Sequence, residues 1–89
     1  MDEKVLDSLT VTIRTREKIL FQGKVTGVTS LNERGIFDVL AGHENFISVV
    51  KEKLTIHDSE KSFTFTTGIL RVEENVITVY IGVTDAKAA

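Results

Sequence analysis

The chain has 89 residues, 42% of them hydrophobic and 27% charged, and a formal net charge of −2. A chain this short supports one core at most, since it buries only about 60–70% of the surface its unfolded form exposes. So weak an acidic balance excludes the clustered Lys and Arg of a nucleic-acid or polybasic membrane binder, and the lack of any cysteine removes disulfides, thiolate metal sites and a cysteine nucleophile.

The longest apolar runs are three residues, such as Ile19-Leu20-Phe21, against the roughly 20 that cross a bilayer as a helix. Met1-Asp2-Glu3-Lys4 opens no signal peptide. The chain is therefore expected not to enter a membrane itself. Val, Thr and Ile make up 30 of the 89 residues, and such β-branched side chains suit a pleated, half-buried surface better than a helix. With six Gly and no Pro, the turns must rely on Gly, Asn and Asp. This composition favours an all-β domain.

Residues 1–8 read as a polar lead-in. Residues 9–15 alternate, with Leu9, Val11 and Ile13 on one face of a first strand. Arg16-Glu17-Lys18 is a charged turn, and Ile19 to Phe21 opens a second strand. The apolar phase slips between Val25 and Val28, with Gly23 and Gly27 nearby, which reads as a bulge or bend within that strand. Asn32-Glu33-Arg34-Gly35 is a turn, residues 36–40 a short strand, and residues 41–45 a loop.

Residues 46–50 fit a helix face or a strand, and are taken as a strand ending at Lys51-Glu52-Lys53. Residues 54–56 turn at 57–60 into 62–66, where Phe63 and Phe65 share a face. Residues 69–72 turn at Glu73-Glu74-Asn75 and return as 76–81, whose Val and Ile spacing suggests burial on both faces. Residues 85–89 form a short tail. Seven to ten short strands at this spacing predict a sandwich or barrel.

Candidate chemistry is sparse. His43-Glu44 and His57-Asp58 pair an imidazole with a carboxylate, yet neither has a nucleophile or an orienting third group at a recognisable spacing. Nor do two such pairs make a metal signature. The plainer reading is a loop-anchoring His43 and a surface turn at His57-Asp58. The glycines form no phosphate-cradling pattern, and Glu73-Glu74 reads as solvated. No cofactor, metal or catalytic residue is expected.

Three segments in order carry a resemblance. Phe21-Gln22-Gly23-Lys24-Val25 with Val28 matches F-x-G-x-V-x-x-V. The run Gly35-Ile36-Phe37-Asp38-Val39-Leu40-Ala41-Gly42-His43 matches G-x-F-x-V-L-P-G-H, with Ala41 in place of Pro. Gly68-Ile69-Leu70-Arg71-Val72-Glu73 with Asn75-Val76-Ile77-Thr78-Val79 resembles a G-G-x-L-x-V-x-x-N-x-V-T-V hairpin. Together they resemble the N-terminal β-sandwich domain of the epsilon subunit (the delta/epsilon family) of rotary ATP synthases, over residues 9–84.

The resemblance implies a flattened sandwich of about ten short strands in which Phe21, Gly23, Gly42 and Gly68 are motif positions. It also implies a non-catalytic rotor-stalk part at the cytoplasmic face of a bacterial membrane, monomeric when isolated. That part would couple a proton- or sodium-driven c ring to the gamma subunit. Ungapped counting through the second segment puts Leu31, Asn32, Glu33, Arg34, Gly35 and Ile36 against the c ring, and Thr15, His43 and Ser48 towards gamma. Relatives continue into a helical hairpin. Only eight residues follow Ile81 here, too few for that hairpin, so neither ATP binding nor inhibition of ATP hydrolysis is expected of this chain. The alternative, which shares the fold, is a free-standing β-sandwich adaptor that binds a protein at a sheet edge.

The purified chain should give a far-ultraviolet circular dichroism spectrum of β type. A helix-dominated spectrum would overturn the all-β reading, because only residues 46–50 offer a helical pattern.

Overall fold

Period-two alternation of β-branched and polar residues yields strands along almost the whole chain. The computed structural model describes residues 8–59 and 61–82. Apart from Ser8, the expected lead-in and the expected tail lie outside the described residues, as does Glu60 of the turn after Ile56. The strands are β1 (Leu9–Arg14), β2 (Ile19–Val25), β3 (Gly27–Asn32), β4 (Gly35–Leu40), β5 (Phe46–Ile56), β6 (Ser62–Glu73) and β7 (Val76–Ile81). They form one sheet in the order β2-β1-β7-β6-β5-β3-β4. Neighbours are antiparallel except β1 and β7, which run parallel. The all-β expectation holds, and no helix occurs among the described residues.

The sheet cannot be flat. β2 and β3 stand first and sixth in the order, yet only Thr26 joins them. In a flat sheet five strand spacings would separate them by about 24 Å, whereas one intervening residue lets two Cα atoms stand at most about 7.6 Å apart. The sheet therefore folds over on itself until its two ends meet, and becomes a sandwich.

The fold line runs across β5 and β6. β7 pairs with β6 only from Gly68 to Glu73, and β3 pairs with β5 only from Lys51 to Ile56. Each long strand thus contributes its two halves to different layers. The crossing is marked by an irregular register: Lys51 opposes Thr67 while Glu52 opposes Phe65, so Thr66 is an extra residue in the ladder. Glu52 has φ 72°. The extra residue shifts the buried phase of β6, from Phe65 on one side to Gly68, Leu70 and Val72 on the other. Strands that change layer at a bulge are how sheets make such corners.

Three sequence expectations change accordingly. Among the described residues seven strands stand where about ten short ones were expected, because residues 46–50 and 54–56 are one strand and residues 62–66 and 69–72 another. Lys51, Glu52 and Lys53 do not end a strand. They sit exposed on a strand that turns the corner. The phase slip near Gly23 and Gly27, expected as a bulge or bend within one strand, is a bend, and it falls at Thr26 between two strands.

One face of every strand supplies the core. Leu9, Val11 and Ile13 of β1, Val28 of β3, Leu54 and Ile56 of β5, Leu70 of β6 and Ile77 and Val79 of β7 are all buried in one cluster. Truncating such a Leu or Ile to Ala costs about 2–5 kcal/mol through lost transfer energy and the cavity left behind. Ser30 is buried among them, but its hydroxyl donates to the Lys53 carbonyl at 2.8 Å. The β3–β5 register shifts beside this bond, so the serine satisfies a carbonyl that the regular ladder would otherwise serve. Phe63 and Phe65 do share the inner face; Phe65 is buried, and Phe63 is half-buried against Phe21, with ring centroids 6.2 Å apart.

Gly68 is required by space. A Cβ there would stand 2.8 Å from the Tyr80 carbonyl oxygen and 3.4 Å from the Phe65 ring. At Gly23 the nearest heavy atom to such a Cβ is on the Phe21 ring at 3.7 Å, an ordinary contact. Gly68→Ala should therefore lower stability by about 1–3 kcal/mol, and Gly23→Ala should stay within about 0.5–1 kcal/mol of the parent. Urea denaturation of the two variants checks this; equal losses would refute it.

Candidate docking surface

The β3–β4 hairpin ends in a two-residue turn, Glu33-Arg34, between the paired residues Asn32 and Gly35. Asn32 organises it. Its Oδ1 accepts from the Arg34 backbone N–H at 2.8 Å, the local turn bond that asparagine favours, and its Nδ2 donates to Ser48 Oγ of β5 at 3.1 Å. One side chain thus closes the turn and ties it to the next strand. Between the tip and the start of β5 lies a groove of about 540 Å³. Glu33, Arg34 and Gly35 are exposed, and Ile36 is 74% exposed, the most open large apolar side chain described.

The residues expected to face the ring, Leu31 to Ile36, are thus contiguous on one hairpin. Those expected to face gamma are scattered. Thr15 closes the β1–β2 turn: it is buried, its Oγ1 accepts from the Glu17 and Lys18 backbone N–H groups at 3.1 and 3.2 Å, and its own N–H donates to the Lys18 carbonyl. What that corner presents is Arg16, Glu17 and Lys18. Ser48 belongs to the groove, bonded to Asn32.

His43 anchors its loop. Its backbone N–H donates to the Leu40 carbonyl, its Nδ1 lies 2.8 Å from the Glu44 carbonyl oxygen, and its ring packs on Phe46 at 4.9 Å. Beside it Gly42, with φ 86°, sends its N–H to Asn75 Oδ1 at 2.8 Å. Asn45 Oδ1 accepts from the Glu74 backbone N–H at 2.9 Å. The loop over residues 41–45 is thereby clamped to the β6–β7 turn, and Gly42 supplies the left-handed backbone that a side chain would resist.

One polar cluster escaped the sequence reading. His57 is not a bare turn residue, because its Nε2 lies 2.6 Å from Thr29 Oγ1, which also donates to Asp38 Oδ1 at 2.5 Å. The threonine has one proton and gives it to the carboxylate, so it accepts from His57 Nε2–H. A nucleophilic site needs the hydroxyl to donate its hydrogen bond to the histidine; here it donates to the carboxylate, and the three groups tie β3, β4 and the β5–β6 turn together. Among the described residues no three His, Asp or Glu side chains converge as metal ligands would. Glu73 pairs with Arg71 at 2.6 Å on the surface, a contact of small energetic value.

The largest feature the sequence reading missed is the outer face of the layer that holds β7. Val49, Ile69, Tyr80, Arg14 and Ile19 stand opposite one another in register across β5, β6, β7, β1 and β2. Val49, Ile69, Tyr80 and Ile19 are all exposed, and Ile47 lies beside them. The signal was present in the apolar residues of β7 that face away from the core. They were expected to be covered on both faces, but Val76 and Tyr80 are open.

A coiled seven-stranded sandwich, with polar groups tied up in its turns and an apolar row on one open face, defines an all-β domain that presents surfaces. The chain belongs to the family "ATP synthase, Delta/Epsilon chain, beta-sandwich domain", whose profile matches residues 8–84. It is 33% identical over 70 residues to the ATP synthase epsilon chain of Clostridium perfringens, covering 74% of this chain and 53% of that one. It is 34% identical over 80 residues to the ATP synthase epsilon chain of a Nitratiruptor species, covering 85% and 62%. The chain thus spans between about half and three-fifths of the length of these relatives. Its fold is shared with a chain of the Euglena gracilis mitochondrial ATP synthase (TM-score 0.75, 20% identity, covering 84% of this chain and 51% of that one). It is shared also with a chain in the central stalk and c-ring of the Tetrahymena thermophila mitochondrial ATP synthase (TM-score 0.70, 16% identity, 83% and 63%).

Asn32→Ala removes both bonds at the hairpin tip. It should cost about 1–2 kcal/mol in urea denaturation and speed hydrogen exchange at the Arg34 amide while amides of β7 keep their protection. Unchanged Arg34 exchange would show that the tip does not depend on Asn32.

Proposed function

We propose that this domain is a non-catalytic docking part of a rotary ATP synthase stalk, coupling the c ring to the gamma subunit at the cytoplasmic face of a bacterial membrane. The observation that carries the reading is the row on the open outer face in which Val49, Ile69 and Tyr80 adjoin across three strands, with Ile19 beyond Arg14 of β1. Exposed apolar groups contiguous across several strands mark a surface that a partner covers. That surface is a sheet face, which favours a broad subunit contact over capture of a peptide strand at an edge.

The physical demand on such a part is resistance to slip. Moving one charge through a membrane is worth about 2.3 kcal/mol per 100 mV, and the work of several charges must be held in the rotor for each ATP. A rigid body with well-packed contacts, each above about 1,000 Å² in total, meets that demand without any reacting group. In this reading the hairpin tip, Leu31 to Ile36, faces the ring. The gamma subunit covers the outer face from Ile69 and Tyr80 to Ile19, and the corners at His43 and at Thr15, where the contact falls on Arg16, Glu17 and Lys18 above the buried threonine. Ser48 lies between the two contacts, beneath the tip.

Cysteine in place of Glu33 or Ile36 should form crosslinks to a c-ring loop in the assembled complex, and cysteine in place of Glu17 or Tyr80 to gamma. Ring crosslinks from position 80 with none from 33 or 36 would reverse the proposed orientation. Normal assembly and ATP synthesis without this chain would end the proposal altogether.

A further inference from the structure

The groove beneath the hairpin tip carries charges that a general docking role does not explain. Arg34 on the tip and Lys51 on β5 both line it and both are exposed. Neither side chain makes a hydrogen bond or ion pair with another described residue. Among the described residues Glu33 is the one carboxylate lining the groove, so cations outnumber anions among them there. The rest of the β5 wall that carries Lys51 is apolar, with Ile47 68% and Val49 61% exposed, and it continues into the apolar row of the outer face. Asn32 and Ser48 are occupied with each other and fix the position of the tip relative to β5, so the groove exists before any partner arrives.

We infer that this groove receives a loop of a partner protein in which a carboxylate side chain stands beside an apolar one. The carboxylate reaches Arg34 and Lys51, and the apolar group covers Ile47 and Val49. Docking strips water from both cations, and a cation buried without a counter-charge costs far more than an exposed one. A basic or neutral loop leaves two such cations facing it, so the groove selects against it. The inference rests on the reading that the tip faces the ring, and it makes the ring loop the acidic partner.

The test uses the assembled complex with three versions of the chain: the parent, Arg34→Glu and Lys51→Glu. Both substitutions are at exposed positions, and their melting temperatures should match the parent. Each should weaken association of this chain with the complex by about tenfold at low ionic strength, with the loss shrinking as salt rises from about 50 to 500 mM. Lysine in place of the ring-loop carboxylate nearest the Glu33→Cys crosslink should restore the Lys51→Glu variant. If that crosslink forms while both charge reversals keep affinity within about twofold, the acidic loop is refuted and the tip placement stands. If the crosslink goes elsewhere, the tip placement fails first. Tighter association of the reversed variants would identify a basic loop. Binding of the isolated domain to anionic phospholipid vesicles or to inorganic phosphate, lost in both variants, would assign the groove to a lipid or a free anion. Either result overturns the inference.

Discussion

The single residue between β2 and β3 governs the shape of this domain. Because Thr26 must join the first and sixth strands of the sheet order, the sheet has to fold over, and that closure encloses the core. It also forces β5 and β6 to cross between layers. The crossing explains three local oddities at once: the irregular register at Lys51, the left-handed backbone at Glu52, and the absence of a side chain at Gly68. Each would be a defect in a flat sheet, and each is needed where a strand turns a corner. The open outer face follows from the same closure, since two layers can cover only their inner sides.

Satisfaction of polar groups at the ends of the sandwich is a second theme. At one hairpin Asn32 accepts from the backbone and donates across to Ser48. At the β6–β7 turn Glu74 and Asn75 both take left-handed backbone, with φ 51° and 64°, as two-residue hairpin turns of the twisted type require. Asn75 then offers its side chain to Gly42 and its carbonyl to Thr10. Asparagine tolerates this backbone well and glutamate poorly, at a cost of roughly 1–2 kcal/mol. The clamp from Asn45 to the Glu74 amide is one interaction that holds the glutamate there.

Much of this was legible in the residues. Alternation located Leu9, Val11 and Ile13, Phe63 and Phe65, and the hairpin turns at Asn32 and Asn75, because period two is a local property of the chain. The corner was not. Lys51, Glu52 and Lys53 look like a turn since charged residues usually mark one, yet exposed charges suit the outside of a bend equally well. The Thr29, Asp38 and His57 cluster depends on register between three elements, which no local pattern encodes. The apolar row was visible as surplus Val, Ile and Tyr in β5, β6 and β7. A second buried face and an open docking face leave the same trace in sequence, and only the pairing of strands tells them apart. The hairpin expected to face the ring came through the resemblance rather than through any chemistry in its residues.

The parallel pairing of β1 with β7 has a consequence for how the chain acquires its fold. β1 has an antiparallel partner close by in β2, but its other edge must wait for a strand nearly the whole described chain away. Contacts of such sequence separation are closed late and at an entropic cost, and domains dominated by them fold slowly, on the order of milliseconds to seconds. On the ribosome the first strand emerges long before the last. Until β7 is released, one edge of β1 stays open and able to pair with a stranger. Synthesis therefore passes through a stage in which this domain is vulnerable to strand exchange between neighbouring nascent chains, a hazard that ends when the last strand slots between β1 and β6.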